Sequence, residues 1–348
     1  MTLAKSVLGS LPSYFLSLFS APKCVVKKLE KIRREFIWGK SNNRYKLGWI
    51  RWELLLKVKK AGGMGMGSIQ SFNLALTKWW WRLKGNPNHL WAEVIAAIHG
   101  GNSISSSNLL ILLKKTIPGI WKDIGSVQAA LGKLGIDLKD NLVLDGRVWK
   151  WRSEPNGSFS VRQVRMGIES RSLEENRDNV AFDWNNWAPP KAIYLLSRAQ
   201  MGKIASKVGL LQRGVPIGDS LCSRCGIHDE DPVHIFMSCL WAQCIWWSIL
   251  TWLRIRFITS NNLNDFVLQV KLNPGDKVWK KVVYTIIMAT VWNLWKVRNE
   301  KVFEDSFIPF RMTVEQIKED AFLWISNRSR LKKPSWENWK DFNIIDQM

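Results

Sequence analysis

The chain has 348 residues, 46% of them hydrophobic, and 51 Lys and Arg against 29 Asp and Glu, a formal net charge of +22 at pH 7. This hydrophobic content excludes a disordered chain, and the length predicts two or three domains. So large a positive charge argues against an ordinary soluble enzyme that must avoid polyanions. It favours nucleic acids or an anionic membrane surface as partners.

The first clear pattern is an amphipathic helix over residues 23–38, followed by a strongly basic stretch. Between Lys23 and Lys60 there are 13 Lys or Arg and three acids, interleaved with Trp and Tyr. Cations beside flat aromatic rings suit phosphate contact and base stacking, although a solvated helix face over a Trp-containing core is the simpler alternative. The predicted nucleic-acid-binding residues are Lys27, Lys28, Arg33, Arg34, Lys57, Lys59 and Lys60.

The glycine-rich stretch 61–68 suggests a phosphate cradle at first sight. It matches neither the P-loop pattern nor a strand-bound G-x-G-x-x-G, so the sequence predicts a tight turn. Ser71 or Asn73 is expected to cap a following helix that carries Trp79 and Trp80. Residues 101–140, rich in Ser, Gly and Lys, predict a linker or insertion.

The only β-structure that the sequence predicts lies in the middle of the chain. Residues 141–161 alternate as in a β-hairpin, with Pro155, Asn156 and Gly157 in its turn, and a helix follows from Val161 to Ser170. Pro189 and Pro190 then precede two helices separated by a turn near Gly202. Further helices are expected over residues 234–254, 276–303 and 311–330.

The most informative motif is C-x2-C-x8-H-x4-C, formed by Cys222, Cys225, His234 and Cys239. Three thiolates and one imidazole make a complete tetrahedral set for Zn²⁺, which would be structural because no coordination position stays open. A redox pair or inert buried thiols are the alternatives. Cys244, or less favourably His228, could replace one of the four ligands.

The compartment also has alternatives. The 22 residues from Pro232 to Leu253 carry no charge and are long enough to span a bilayer, but they include the proposed metal ligands and predict a buried helix. The first 22 residues imitate a secretory signal that Pro12 interrupts. Because the cysteines cluster at metal spacing, we expect a reducing, nuclear or cytoplasmic location and no membrane partner.

Several short motifs follow one another from Asp145 onward. They are W-x-W, G-S-F-S-V, W-x-x-W-x-P-P-K, a G-K-I step, L-x-x-R-G and the Cys/His motif, with Asp145, Trp149, Gly157, Phe159, Ser160, Val161, Trp184, Trp187, Pro189, Pro190, Lys191, Gly202 and Lys203 as matching residues. In this combination they resemble the zinc-binding domain that follows the reverse transcriptase in plant LINE-type non-LTR retrotransposons. Residues 8–100, with LPSYFLSLFSAP, FIWGK and N-x-A-L-T-K-W-W-W-R, resemble the end of that polymerase.

The resemblance implies a mainly α fold with a small β-hairpin, divided into a polymerase remnant (1–100), a linker (101–140), a zinc-binding domain (141–255) and a helical extension (256–348). Two departures limit the implied activity. Ser197 stands where the family commonly has Trp, and the sequence contains no Asp-Asp dipeptide to bind the two Mg²⁺ ions of a polymerase.

We therefore expect a non-catalytic fragment of a larger polyprotein that binds RNA or DNA without sequence preference. Polymerase activity by family membership and a domesticated protein-interaction module are the alternatives.

Overall fold

The computed structural model divides the chain into two compact units, an N-terminal unit up to Phe182 and a C-terminal unit from Asp183. The described residues are 13–16, 18–41, 44–45, 47–59, 63–74, 77–85, 88–99, 119–137, 140, 142–145, 148–152, 157–171, 182–331 and 334–343. The expected fold class, mainly α with a small β-hairpin, is confirmed. The domain limits at residues 100, 140 and 255 stay predictions.

The N-terminal unit consists of short helices and two small antiparallel strand pairs. The helices are α1 (Ser13–Leu16), α2 (Lys23–Trp38), α3 (Trp52–Leu56), α4 (Ile69–Asn73), α5 (Thr77–Gly85), α6 (Leu90–His99), α7 (Ile120–Lys133) and α8 (Val161–Arg171), and the strands are β1 (Lys40–Ser41), β2 (Arg44–Tyr45), β3 (Leu142–Asp145) and β4 (Val148–Trp151). The predicted helix over residues 23–38 is confirmed.

A hydrophobic cluster forms the core of this unit. Its members come from α5 to α8 and β4 and include Leu83, Ile95, Ile124, Leu131, Trp151 and Ile168. Trp81, Trp151 and Phe159 pack with ring centroids 5.0–6.0 Å apart. Residues 119–137, which the sequence assigns to a linker or insertion, thus contribute α7 to the core, because its apolar residues recur at helical spacing.

The hairpin is present, but its turn lies elsewhere than predicted. β3 pairs with β4 in the register Leu142 to Trp151, so the chain reverses between Asp145 and Val148. Gly157, with a positive φ of 64°, accepts a hydrogen bond from the Trp151 amide at 2.8 Å. Residues 158–160 form no strand, and the predicted helix begins at Val161. The predicted turn residues 155 and 156 lie outside the described part.

The predicted helix cap is also corrected. Ser71 and Asn73 lie inside α4 and do not cap α5, the helix that carries Trp79 and Trp80. Ser68 caps α4, and its hydroxyl accepts a hydrogen bond from the Ser71 amide at 2.9 Å. Asn73 is buried and instead donates to the carbonyls of Leu16 and Phe19 at 2.9 and 2.7 Å. It ties α1 to α4, a contact between distant residues that local spacing does not reveal.

The C-terminal unit is built from longer helices. These are α9 (Pro190–Gln200), α10 (Lys207–Leu211), a π-helical turn (His234–Ser238), α11 (Leu240–Trp252), α12 (Leu263–Leu272), α13 (Lys277–Glu304), α14 (Phe310–Arg328) and α15 (Trp336–Lys340). The helices predicted after the two prolines, over 276–303 and over 311–330, are confirmed.

Helix α13 forms the centre of this unit. Asp276 caps its start by accepting from the Trp279 amide at 2.6 Å, and Asp305 ends it in the left-handed region at φ 51°. Residues 282–291 are all buried, because α13 packs against α9, α12, α14 and the π-helical turn. A helix that is apolar nearly all round requires such enclosure.

The predicted continuous helix over residues 234–254 is interrupted. Cys239 has φ −64° and ψ 129° and separates the π-helical turn from α11. The interruption lets Cys239 serve as the N-terminal boundary of α11, near the other Cys and His side chains. Within the described part of the chain, no helix combines the length and hydropathy that a membrane span requires.

Candidate metal centre and basic surface

Cys222 and Cys225 lie in a tight knuckle between Ser220 and Glu230. The Cys222 amide donates to the His228 carbonyl, and the Gly226 amide donates to the Cys222 carbonyl, both at 2.8 Å. Gly226 has φ 66°, a conformation that glycine adopts without strain. These bonds turn the chain back on itself within five residues, so both cysteines lie on the same turn.

The other two members of the cluster come from the segment that follows. Asp231 accepts from the His234 amide at 2.6 Å and fixes the start of the π-helical turn. The hydroxyl oxygen of Ser238 lies 3.4 Å from Nδ1, the second imidazole nitrogen of His234. Cys239 follows directly and precedes α11. Hydrogen-bonded support of this kind orients an imidazole whose other nitrogen is a metal ligand.

The four candidate ligand atoms form one compact group. Three thiol sulfurs and one imidazole nitrogen, from Cys222, Cys225, His234 and Cys239, all lie within 4.8 Å of one another. The Cys225 sulfur is 3.3 Å from Nε2 of His234. Tetrahedral ligands at about 2.3 Å from a metal ion are separated by roughly 3.8 Å. The donor set and its spacing therefore fit a four-coordinate metal ion.

The electrostatics of the cluster favour thiolate at Cys222 and thiol at Cys239. The Cys239 thiol donates to the Cys222 sulfur, and this bond, together with the Cys225 and Arg224 amides and the charge of His234, lowers the pKa of Cys222 to about 4 despite its burial. The same bond, with burial and the negative charge on Cys222, raises the pKa of Cys239. A cation in the cluster would stabilise both sulfurs as thiolates.

A buried ion pair holds the knuckle to α13. Glu230, fully buried, accepts from Nε of Arg298 at 3.1 Å on both carboxylate oxygens and also from Nη2. The same carboxylate accepts from the Lys207 amide at 3.1 Å. Glu230 thus joins the knuckle, α10 and α13. Neither residue is a predicted site residue. Glu230 lies within the Cys/His motif, between Cys225 and His234, whereas nothing in the local sequence marks Arg298.

Arg224 covers the cluster from inside the knuckle. Its guanidinium lies 4.2 Å from the ring centroid of Trp241 and 4.6 Å from that of Phe307. It also donates to the Ile308 carbonyl at 3.4 Å. A guanidinium close to two aromatic rings is stabilised by cation–π attraction. The residue between the two knuckle cysteines therefore links them to α11 and to the segment before α14.

The proposed substitute ligands lie outside the group. Cys244 is exposed on α11, and His228 is an exposed residue whose ring centroid lies 5.6 Å from that of His234. Within the continuously described residues 182–331, the only group of three or more candidate metal-binding side chains is the predicted four. These four stay predicted ligands, and the arrangement could hold a metal ion.

The predicted nucleic-acid-binding residues divide into two kinds. Lys27, Lys28 and Lys59 are exposed and Arg34 is half-buried, as phosphate contact requires. Lys57 is only 9% exposed, and burial together with nearby Arg51 lowers its pKa. Lys60 lies outside the described residues. The exposed residues stay predictions.

The assignment of Arg33 to nucleic-acid contact is corrected. Arg33 is 3% exposed, and its guanidinium donates to the Glu30 carboxylate at 3.1 Å and to the Met66 and Gly67 carbonyls at 3.3 and 3.1 Å. It holds the glycine-rich turn against α2. Helical spacing places Arg33 on the predicted basic face, but carbonyls from residues 66 and 67 enclose it, a contact that the spacing within one helix does not reveal.

The Trp side chains do not form a broad exposed surface. Among those whose exposure the structure describes, Trp247 on α11 is the one in the exposed range, at 58%. Others form core contacts, such as Trp246 with Phe266 and Trp339 with Phe342. This distribution gives little support to a partner surface made of many tryptophans.

Comparison with known proteins agrees with the cluster. Residues 159–246 match the family described as zinc-binding in reverse transcriptase. The chain is 32% identical over 125 residues to the putative ribonuclease H protein At1g65750 of Arabidopsis thaliana, covering 36% of this chain and 20% of that protein. It is 38% identical over 68 residues to the uncharacterized mitochondrial protein AtMg00310 of the same plant, covering 19% and 44%.

The chain therefore spans less than half the length of either relative. The resemblance to the zinc-binding region of retrotransposon reverse transcriptases is confirmed, and all four candidate ligands fall within the matched residues.

Proposed function

Because residues 159–246 match the zinc-binding family of reverse transcriptases, we propose that the chain is a zinc-stabilised, non-catalytic nucleic-acid-binding part of a plant LINE-type non-LTR retrotransposon reverse transcriptase. The observation that carries the proposal is the compact Cys/His cluster in a chain with a net charge of +22. Zn²⁺ is the proposed ion because it prefers thiolate and imidazole in tetrahedral geometry. The site is structural because four protein ligands fill its coordination.

The proposed ion would stabilise the C-terminal unit through the elements that its ligands join. Cys222 and Cys225 belong to the knuckle, which Glu230 links to α13, and Cys239 begins α11. One ion would therefore hold the knuckle to the π-helical turn and to the start of α11, beside the ion pair that already holds the knuckle to α13. We expect a chelator to reduce amide protection in the knuckle, α10 and α11 first, measured by hydrogen exchange. Unchanged protection in these segments after metal removal would reject the structural role.

The proposed nucleic-acid binding depends on positive charge rather than on base-specific contacts. Lys27 and Lys28, exposed on α2, would contact phosphates of RNA or DNA together with Lys59. The logarithm of the affinity should then fall linearly with the logarithm of the salt concentration, by about 0.7 for each phosphate contacted on a single strand. Fluorescence anisotropy with labelled RNA and DNA measures this slope. A slope near zero, or no binding at low salt, would contradict the proposal.

The proposal assigns no catalytic step to this chain. The sequence contains no Asp-Asp dipeptide, and the matched family is described by zinc binding. Two-metal polymerisation needs carboxylates that hold both ions near the primer hydroxyl. A primer-extension assay with purified protein should give no extended product. Metal-dependent extension that survives repurification would contradict the non-catalytic role.

A further inference from the structure

A cavity of about 490 Å³ lies in the N-terminal unit beside the glycine-rich turn. One wall comes from the segment between α3 and α4 together with Phe72 of α4, and the other from the first two turns of α8. The lining residues are Val58, Lys59, Gly65, Phe72, Val161, Arg162, Arg165 and Met166. Its size suits a ligand of one nucleotide unit rather than a lone ion.

Three cations and no carboxylate are among these described lining residues. Lys59 and Arg162 are exposed, and Arg165 is half-buried. Arg165 also lies close enough to buried Arg33 to oppose its positive charge, which contributes to the lowered pKa of Arg33 after burial itself. Three cationic side chains at one concave site attract an anion.

The glycine-rich turn shapes the cavity, and two of its amides are already hydrogen-bonded to backbone carbonyls. The Gly65 and Gly67 amides donate to the Lys57 and Leu56 carbonyls at 2.7 and 2.9 Å, so both are already used. A Cβ atom on Gly67 would lie 1.3 Å from Nη2 of Arg165, and φ there is +68°. Gly67 thus leaves room for the Arg165 guanidinium. With the Gly65 and Gly67 amides in use, the cationic side chains are the candidate hydrogen-bond donors to an anion at this site.

The remaining lining is apolar and includes one aromatic ring. Phe72 and Met166 contribute to it together with Val58 and Val161. A phosphate needs only the cations, whereas an adjoining apolar wall with a phenyl ring suits a flat base. In a duplex the bases are stacked and paired inside the helix, so an unpaired strand presents phosphate and base to such a cavity with least rearrangement.

We infer that this cavity binds one nucleotide of a single-stranded nucleic acid, with Lys59, Arg162 and Arg165 holding its phosphate and Phe72 with Met166 contacting its base. The inference rests on the proposed nucleic-acid binding and extends it by naming the site and the strandedness. It adds Arg162 and Arg165, outside the predicted basic stretch, to the binding residues. It also gives the glycine-rich turn a role as the support of Arg165.

The test compares two variants that each remove two positive charges. Arg162→Gln/Arg165→Gln alters the cavity, whereas Lys122→Gln/Lys133→Gln alters two exposed lysines of α7 that do not line it. Anisotropy with single-stranded RNA of about 15 nucleotides should show an affinity loss of about tenfold or more and a salt slope smaller by about 1 to 2 for the cavity variant. The α7 variant should lose much less.

Phe72→Leu supplies an independent readout that keeps the charge. It should weaken single-strand binding severalfold without changing the salt slope, because only stacking is lost. A duplex of the same sequence should bind wild-type protein more weakly than the single strand. Inorganic phosphate, titrated alone at matched ionic strength, should compete only weakly because it lacks the base.

The possible outcomes distinguish failure of the proposed nucleic-acid binding from failure of the cavity assignment. Wild-type protein that binds neither RNA nor DNA at low salt would reject the proposed function itself. Wild-type binding with equal losses for both double variants would reject the cavity and leave binding by net charge. Strong competition by inorganic phosphate, with Phe72→Leu unchanged, would overturn the nucleotide assignment in favour of a phosphate-only site. Circular dichroism of each variant confirms that it is folded.

Discussion

The two units each bury an arginine beside a glutamate, but one pair stabilises a local turn and the other joins distant segments of the chain. In the N-terminal unit, Arg33 and Glu30 belong to one helix, and Arg33 extends to two carbonyls of the glycine-rich turn. In the C-terminal unit, Arg298 and Glu230 are 68 residues apart and join the knuckle to α13. The first pair supports one local turn, whereas the second connects distant parts of the chain around the candidate metal centre.

The difference shows how a basic chain uses its cations. Exposed lysines such as Lys27 remain available for phosphate, whereas Arg33 and Arg298 are enclosed with carboxylates and carbonyls. Arginine suits burial because its planar guanidinium makes several hydrogen bonds at fixed angles and is more weakly hydrated than an ammonium group. Net charge therefore overstates the number of cations that face a ligand.

Removing one partner of the long-range pair should have the largest effect. Glu230→Ala leaves Arg298 charged and buried, and we expect the C-terminal unit to lose about 3–5 kcal/mol of unfolding free energy. The double variant Glu230→Leu/Arg298→Met should lose clearly less, because no charge remains buried. Urea denaturation measures the loss of unfolding free energy, and hydrogen exchange shows which helices lose amide protection. Equal stability of the single and double variants would mean that the pair is not energetically coupled.

The local pair should give a smaller effect. Arg33→Met removes the donor to the Met66 and Gly67 carbonyls, whereas Glu30 keeps the Trp52 indole and the Ile69 amide as donors. We expect a loss of about 2–3 kcal/mol in the N-terminal unit. Lys27→Met, on the same helix but exposed, should change stability by less than about 0.5 kcal/mol. A stability loss for Lys27→Met as large as that for Arg33→Met would contradict the assigned roles.

The same two variants should separate binding from folding. If Lys27 contacts phosphate, Lys27→Met lowers the salt slope of RNA binding by about 1. Arg33→Met should leave that slope unchanged under conditions where the variant stays folded, since Arg33 faces the turn. Salt titrations of both proteins by anisotropy give the comparison directly. A reduced slope for Arg33→Met alone would restore Arg33 as a phosphate contact.

The smallest effects concern helix caps, one in each unit. Ser68→Ala and Asp276→Ala each remove an acceptor for the first turn of a helix, α4 and α13 respectively. Each should cost about 1 kcal/mol, measured by urea denaturation. Ser68→Asn, which retains a capping oxygen, should recover most of the loss in α4. No loss for either alanine variant would show that solvent replaces the caps.

The sequence predicts the helical parts of the fold better than their connections. Helix α2 and the long helices α13 and α14 follow from apolar spacing and end within a few residues of their predicted bounds. The sequence does not predict the break at Cys239, because the uncharged segment has no local signal for a turn. The hairpin turn was misplaced because Pro155–Gly157 offered a stronger turn signal than the segment between β3 and β4.

For the candidate metal centre, the sequence predicts the four clustered side chains but not the residues that hold them in place. The spacing of Cys222, Cys225, His234 and Cys239 names the four side chains that the structure brings together. Spacing says nothing about Arg298, which lies 59 residues after Cys239 yet holds the knuckle in place. Burial of Arg33 was equally hidden, because its partners Met66 and Gly67 reach it through tertiary structure.

The central claim is that the four clustered side chains hold one zinc ion. Metal analysis of purified protein tests it most directly, with Cys222→Ser/Cys225→Ser as the disrupted variant and Cys244→Ser as the control, since Cys244 is exposed and outside the cluster. The account predicts one zinc per chain in the wild type and in Cys244→Ser, and none in the double variant. A folded wild-type protein without zinc, or zinc retained by the double variant, would contradict it.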